Sequence, residues 1–153
     1  MMLTDYIKED RIITNFKAAG KREALELLCT YVARLDHLPQ EEIMQVVLDR
    51  EEMGSTGLGG GVALPHGKST LVKRPALILA LAPDGVDFDS LDGRLVQVFV
   101  LLLSPRDGDG REHLQLLARL GGLFKSPAAV AEILQAAGPA EVFDFLARRE
   151  VSP

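Results

Sequence analysis

His66 stands between Pro65 and Gly67, directly after the apolar triplet Val62-Ala63-Leu64 and a stretch from Gly54 to Gly61 that holds five glycines in eight residues. A neutral imidazole, with an ordinary pKa of about 6.5, is a competent nucleophile near neutral pH and needs no separate base. Pro65 restricts the backbone before the ring, and Gly67 has no side chain to block an incoming group, so this spacing predicts an exposed ring with one reachable nitrogen. Glycine-rich loops also cradle phosphates, but neither familiar fingerprint is satisfied. The third glycine of a dinucleotide-binding pattern falls on Val62. Gly67-Lys68-Ser69 would end a Walker pattern whose first glycine falls on Val62 again. No nucleotide or other cofactor is expected.

The other residues with chemistry to offer are Arg50, Ser55, Thr56, Lys68 and His113. Arg50 presents a permanently charged planar fork suited to phosphate-like oxygens, or else a cation complementing a helix C-terminus. His113 falls in the first turn of a predicted helix, where it is either a surface residue or a hydrogen-bond donor beside free backbone N–H groups. Ser55 and Thr56 either bind an anion or cap their loop. Lys68 reads as a solvated cation and His37 as incidental. His66, His113 and a carboxylate such as Glu51 would make a three-ligand metal set, but no His-Glu-x-x-His or comparable spacing supports it.

The elements that must position these groups follow from periodicity. Ala24, Leu25, Leu28, Val32 and Leu35 mark an amphipathic helix over 21–35, with Cys29 as a buried structural thiol on its stripe. A second helix is expected from Pro39 to about Arg50 or Glu51, and the glycine-rich stretch after it reads as a loop. Val62-Ala63-Leu64 forms a short strand that delivers His66 at its end. Residues 76–82 and 96–103 are continuous apolar runs, as in strands covered on both faces, with a hairpin-like excursion around Val86-Asp87-Phe88 between them. Helices are predicted over 112–124, over 128–137 with Ser126 as N-cap, and from Pro139 through Arg149. Helices, then strands, then helices describe one α/β or α+β layer structure.

Composition narrows the function classes. The 153 residues suit a single domain spanning 1–153, and 47% hydrophobic residues exclude wholesale disorder. A net charge of −5 argues against nucleic acid as a partner. One cysteine cannot close an intrachain disulfide, and no apolar run approaches the roughly 20 residues of a membrane span. These features predict a soluble cytoplasmic protein with no direct membrane insertion.

Glu51, six intervening residues and then Leu58-Gly59-Gly60-Gly61-Val62-Ala63-Leu64-Pro65-His66-Gly67 resemble a phosphohistidine signature. The likeness extends to Arg50 with Ser55-Thr56-Gly57, to Glu112-His113-Leu114 and Leu117-Ala118-Arg119-Leu120, and thus over nearly the whole chain. It resembles the EIIA domains of the phosphoenolpyruvate-dependent sugar phosphotransferase system, fructose/mannitol type, including the stand-alone nitrogen-regulatory forms. The resemblance implies a mixed, mostly central sheet flanked by helices, with the acceptor histidine at a sheet edge. It implies a phosphotransferase component, in which the phosphocarrier HPr or a nitrogen-branch counterpart donates to the His66 nitrogen remote from the backbone. The phosphoryl group then passes to an EIIB domain for sugar uptake, or serves as a signal read by a regulatory target. Arg50 and His113 become the expected catalytic partners, and Ser55 and Thr56 the expected phosphoryl ligands.

Overall fold

A computed structural model describes residues 1–151; the last two residues of the 1–153 span expected for the domain, Ser152 and Pro153, lie outside the described residues. After two short 3-10 turns, Leu3–Asp5 and Glu9–Arg11, the chain forms β1 (Ile12–Ile13), α1 (Lys21–Asp36), α2 (Gln40–Glu52), β2 (Gly57–Gly59), β3 (Val62–Ala63), β4 (His66–Ser69), β5 (Ala76–Val86), β6 (Val96–Pro105), α3 (Arg111–Phe124), α4 (Pro127–Ile133) and α5 (Pro139–Val151). No helix among the described residues is long and apolar enough to cross a membrane.

The six strands form one mixed sheet in the order β1-β5-β6-β3-β2, with β4 also paired to β6. The central pair β5 and β6 is antiparallel, β1 runs parallel to β5, and both β3 and β4 run parallel to β6. β3 and β4 share one edge of β6 in succession: Val62 and Ala63 face Val98 and Phe99, while His66 to Ser69 face Leu102 to Pro105.

Side-chain alternation along β5 and β6 explains why both strands are apolar throughout. Leu77, Leu79, Leu81, Val98, Val100 and Leu102 pack on one face against α3, α4 and α5. Ile78, Ala80, Ala82, Phe99, Leu101 and Leu103 pack on the other face against α1 and α2. Cys29 lies fully buried in that second layer, and burial pushes its thiol up to about 12, as a structural cysteine requires.

The sequence-based elements hold with shifts at their ends. Pro39 is the N-cap of α2 rather than its first helical residue, α4 ends at Ile133 rather than near Ala137, and the Ser126 hydroxyl accepts from Ala129 N–H at 3.2 Å as expected of an N-cap. Val86 is not a separate excursion but closes the central ladder opposite Val96 after a register shift. The two-residue β1 is too short to carry a periodic signal and is visible only in its pairing with β5.

Two corrections concern the site. The glycine-rich stretch is not simply a loop: β2 and β3 make a tight antiparallel hairpin whose turn holds Gly59, Gly60 and Gly61 at φ of 85°, 65° and 85°. A run of left-handed residues is a conformation that only glycine adopts without strain, so the glycines specify the turn. His66 likewise does not end a strand in a loop but opens β4.

Candidate functional site

β4 pairs with β6 alone, so it is an exposed edge at this end of the sheet, and elements from both faces meet around it. The alternation of the strand assigns its side chains. Opposite Leu102 and Ser104, His66 and Lys68 project toward the face covered by α3. Gly67, opposite Leu103, faces α2. A Cβ at Gly67 would come within 2.5 Å of Val46 Cγ1 in α2. The missing side chain of Gly67 therefore lets α2 lie against β4; the expectation that it clears a path for an incoming group is replaced by this packing role.

That close approach brings Arg50, in the last turn of α2, to the edge strand. Its Nε donates to His66 Nε2 at 3.2 Å, and its Nη1 donates to the carbonyl of Gly54 at 3.0 Å. His66 Nδ1 lies 2.8 Å from the carbonyl oxygen of Leu64. A carbonyl only accepts, so the ring proton sits on Nδ1 and Nε2 carries the lone pair that meets Arg50. The ring is half-buried rather than freely exposed. Burial lowers its pKa first, against the contact with Leu64, and the charges of Arg50 and Lys68 lower it further, so it is neutral at pH 7.

His113 arrives from the opposite face in the first turn of α3. It is not the surface residue its position in a helix start suggests, but is 6% exposed. Its Nδ1 is 2.6 Å from the Ser104 hydroxyl on β6, and its ring lies edge-on to His66 with centroids 5.5 Å apart. Burial, and then the proximity of His66 and Lys68, push its pKa down to about 4. Two neutral imidazoles thus meet at this edge beside two cations: Lys68 extends toward Gly110 at the start of α3, and neither it nor Arg50 is in an ion pair among the described residues.

Thr56 and Ser55 are placed differently. Thr56 is buried, and both its backbone N–H and its hydroxyl donate to the Glu51 carboxylate, at 2.9 and 2.6 Å. Glu51, 7% exposed, also pairs with Lys21 of α1 at 2.9 Å. This cluster clamps the segment after α2 to the start of α1, next to Arg50. Ser55 accepts from Gly57 N–H at 3.1 Å and shapes the same turn. Neither hydroxyl hydrogen-bonds to His66.

With its carboxylate so engaged, Glu51 does not join the two histidines as a metal ligand, and no group of three or more His, Cys, Asp or Glu placed to hold a metal occurs among the described residues. His37 ends α1 in a left-handed conformation and takes no part in the site. Sequence reasoning missed Ser104 and the Leu64 carbonyl, which set the two rings; a serine ending an apolar strand carries no signal by itself.

Comparison with known proteins places the chain in a family. The chain is 34% identical over 148 residues to a nitrogen regulatory protein of Bradyrhizobium diazoefficiens, covering 96% of this chain and 95% of the relative. It is 28% identical over 147 residues to the fructose-specific EIIABC component of Bacillus subtilis, 95% of this chain but 23% of that longer protein. The crystal structure of nitrogen regulatory protein IIA-Ntr from Neisseria meningitidis superimposes with a TM-score of 0.88 at 28% identity, over 94% of this chain and 98% of that one. Mannitol IIA in complex with phosphorylated IIB from Escherichia coli shares the fold, with a TM-score of 0.76 at 24% identity over 92% and 96% of the two chains. A family model described as phosphoenolpyruvate-dependent sugar phosphotransferase system, EIIA 2, matches residues 5–149, and the chain belongs to that family.

Proposed function

We propose that His66 Nε2 accepts a phosphoryl group from phosphorylated HPr or a nitrogen-branch counterpart. A bond forms from Nε2 to phosphorus as the bond from phosphorus to the donor's histidine breaks, and no free nucleotide takes part. The observation that carries this reading is the contact between Nδ1–H and the Leu64 carbonyl, which leaves the outer nitrogen as the nucleophile. Such a transfer asks a protein mainly for alignment and for charge to meet the phosphoryl oxygens. Arg50 supplies both: its Nε–H rests on the lone pair before transfer and can move onto an oxygen after it. If the Ser104 hydroxyl donates to His113 Nδ1, the proton of that ring lies on Nε2, where it donates to the same group. Lys68 adds a nearby cation. Thr56, expected as a phosphoryl ligand, is better read as positioning Arg50 through Glu51, and Ser55 as shaping the turn.

The phosphorylated site then serves either of two ends. Similarity over nearly full length to nitrogen regulatory proteins favours a regulatory target that distinguishes the two states of His66. Onward transfer to an EIIB domain is the second reading, favoured by similarity to the fructose-specific component. In either case we place the protein in the cytoplasm, with residues 5–149 working as one domain; one buried cysteine suits a reducing compartment.

Incubation with phosphorylated HPr or its nitrogen-branch counterpart, followed by candidate EIIB proteins, tests the proposal. Wild-type protein should take up one acid-labile phosphoryl group, and His66→Ala should take up none while keeping its circular dichroism spectrum. Labelling of the variant would refute the assignment. Transfer to an EIIB would mark a transport subunit, and a stable phosphoprotein would favour regulation.

A further inference from the structure

A cavity of about 760 Å³ opens where the chain crosses from β4 to β5, between the first 3-10 turn and the end of α1. That volume is within the range of about 300–1,000 Å³ usual for small-molecule sites. Its charge is the reverse of the chain's. The whole protein carries −5, yet Lys8, Arg11, Lys73 and Arg74 line the cavity against only Asp5 and Asp36. Asp36 is occupied by a two-pronged pair with Arg11, and Asp5 accepts from the backbone N–H of Met2 at 3.0 Å. Lys8, Lys73 and Arg74 form no ion pair among the described residues.

These three cations are held by contacts that leave their charge in place. Lys8 Nζ lies 5.8 Å from the centre of the Phe143 ring, the Arg74 guanidinium lies 5.9 Å from that of Tyr6, and Lys73 Nζ donates to the carbonyl of Thr70 at 3.3 Å. Tyr6 is itself tied by its hydroxyl to the Glu112 carboxylate. Leu35, Leu38 and Leu71 supply an apolar wall to the same cavity. An arginine fork with two ammonium groups fits a multiply charged, many-oxygen anion better than a single carboxylate. We propose that the cavity binds a small phosphorylated metabolite, with its phosphate among Lys8, Lys73 and Arg74 and its organic body against Leu35, Leu38 and Leu71.

The site is separate from His66. Ala76 in the cavity wall pairs with Leu103 on one side of β6, whereas His66 pairs with Leu102 on the other, two strand spacings or about 10 Å away. The proposal therefore stands whether or not His66 is the phosphoryl acceptor.

Amide chemical shifts of the full chain, titrated in about 0.15 M salt to screen weak surface attraction, provide the test. The probes are adenosine 5′-monophosphate, adenosine and inorganic phosphate. The nucleotide should give saturable shifts at Tyr6, over residues 71–74 and at Ala76 at millimolar concentration, with phosphate weaker and adenosine silent. The double variant Lys73→Glu/Arg74→Glu should weaken the nucleotide about tenfold or more, and Arg50→Ala should leave it unchanged. Lys8→Gln, on a different element, should weaken binding as well and serves if the double variant melts early. Absence of saturable shifts with both phosphate probes overturns the proposal. So does a response that survives both cavity variants but vanishes in Arg50→Ala, since it would belong to the His66 site.

Discussion

The two histidines of the site reach the same edge strand by opposite routes. His66 is set by its neighbours in the chain: the carbonyl it holds belongs to Leu64, two residues before it. His113 is set by a distant element: its ring, on α3, is fixed by Ser104 of β6, and the residue is buried where His66 is only half-buried. Under the proposed function, the contrast separates the two requirements of a phosphoryl acceptor. The nucleophile must stay accessible, so its tautomer is chosen by a local backbone contact that needs no deep burial. The supporting ring must stay neutral and correctly turned, and burial in the first turn of α3 with the contact to Ser104 provides both.

Arg50 bridges the halves, and its loss should be the most severe way to break the contrast. Arg50→Ala is expected to slow labelling of His66 by about 10²- to 10³-fold with the fold retained, since one donor to a developing charge is worth about that much. Arg50→Lys should recover only part of it, because one ammonium nitrogen does not reproduce the planar fork whose Nε and Nη1 meet His66 and Gly54 separately. Stopped-flow transfer from the phosphorylated donor measures both.

Acid should separate the two rings. Both are held below the ordinary histidine value, so each favours the neutral form in the folded state and stabilises the fold fully only above about pH 6.5. As pH falls from 6.5 toward the value of about 4 at His113, the unfolded chain takes up protons first, and that ring's contribution, up to about 3 kcal/mol, is lost. Urea unfolding between pH 7.5 and 4 should follow this slope in wild type and lose much of it in His113→Gln. Labelling, which needs neutral Nε2, should stay level above the depressed value of His66 and fall below it.

Gly67→Ala tests the α2 side. Forcing a methyl against Val46 should cost about 1–3 kcal/mol, as overpacking does, and should slow labelling by moving Arg50. Ser104→Ala tests the α3 side and should have the smallest effect, about 1 kcal/mol in stability and about tenfold in rate. Equal effects of Ser104→Ala and His113→Ala on labelling would mean that the ring acts only when tethered, and would sharpen the comparison.

Much of this molecule is legible along the chain. The apolar runs of β5 and β6, the stripe of α1 and the capping serine of α4 each follow from near neighbours, because strand alternation, helix period and caps are short-range effects. The same holds for His66, whose proline, glycine and preceding triplet are contiguous. Reading 54–61 only as a loop failed because conformational freedom and the demand for left-handed backbone call for the same residue, and only the pairing with Val62-Ala63 tells them apart.

From its own order of residues, this chain determined an imidazole directly after a short apolar triplet, an arginine at the end of the helix before it, and an α/β layering with no membrane-spanning run. Tertiary structure alone decided that Gly67 is a contact surface for α2, that Thr56 serves Glu51, and that His113 is buried against Ser104 beside His66. Those outcomes depend on which side of β6 each strand takes and on which face each helix covers. Such choices join groups dozens of residues apart, where periodicity carries no information and only close packing selects the partner.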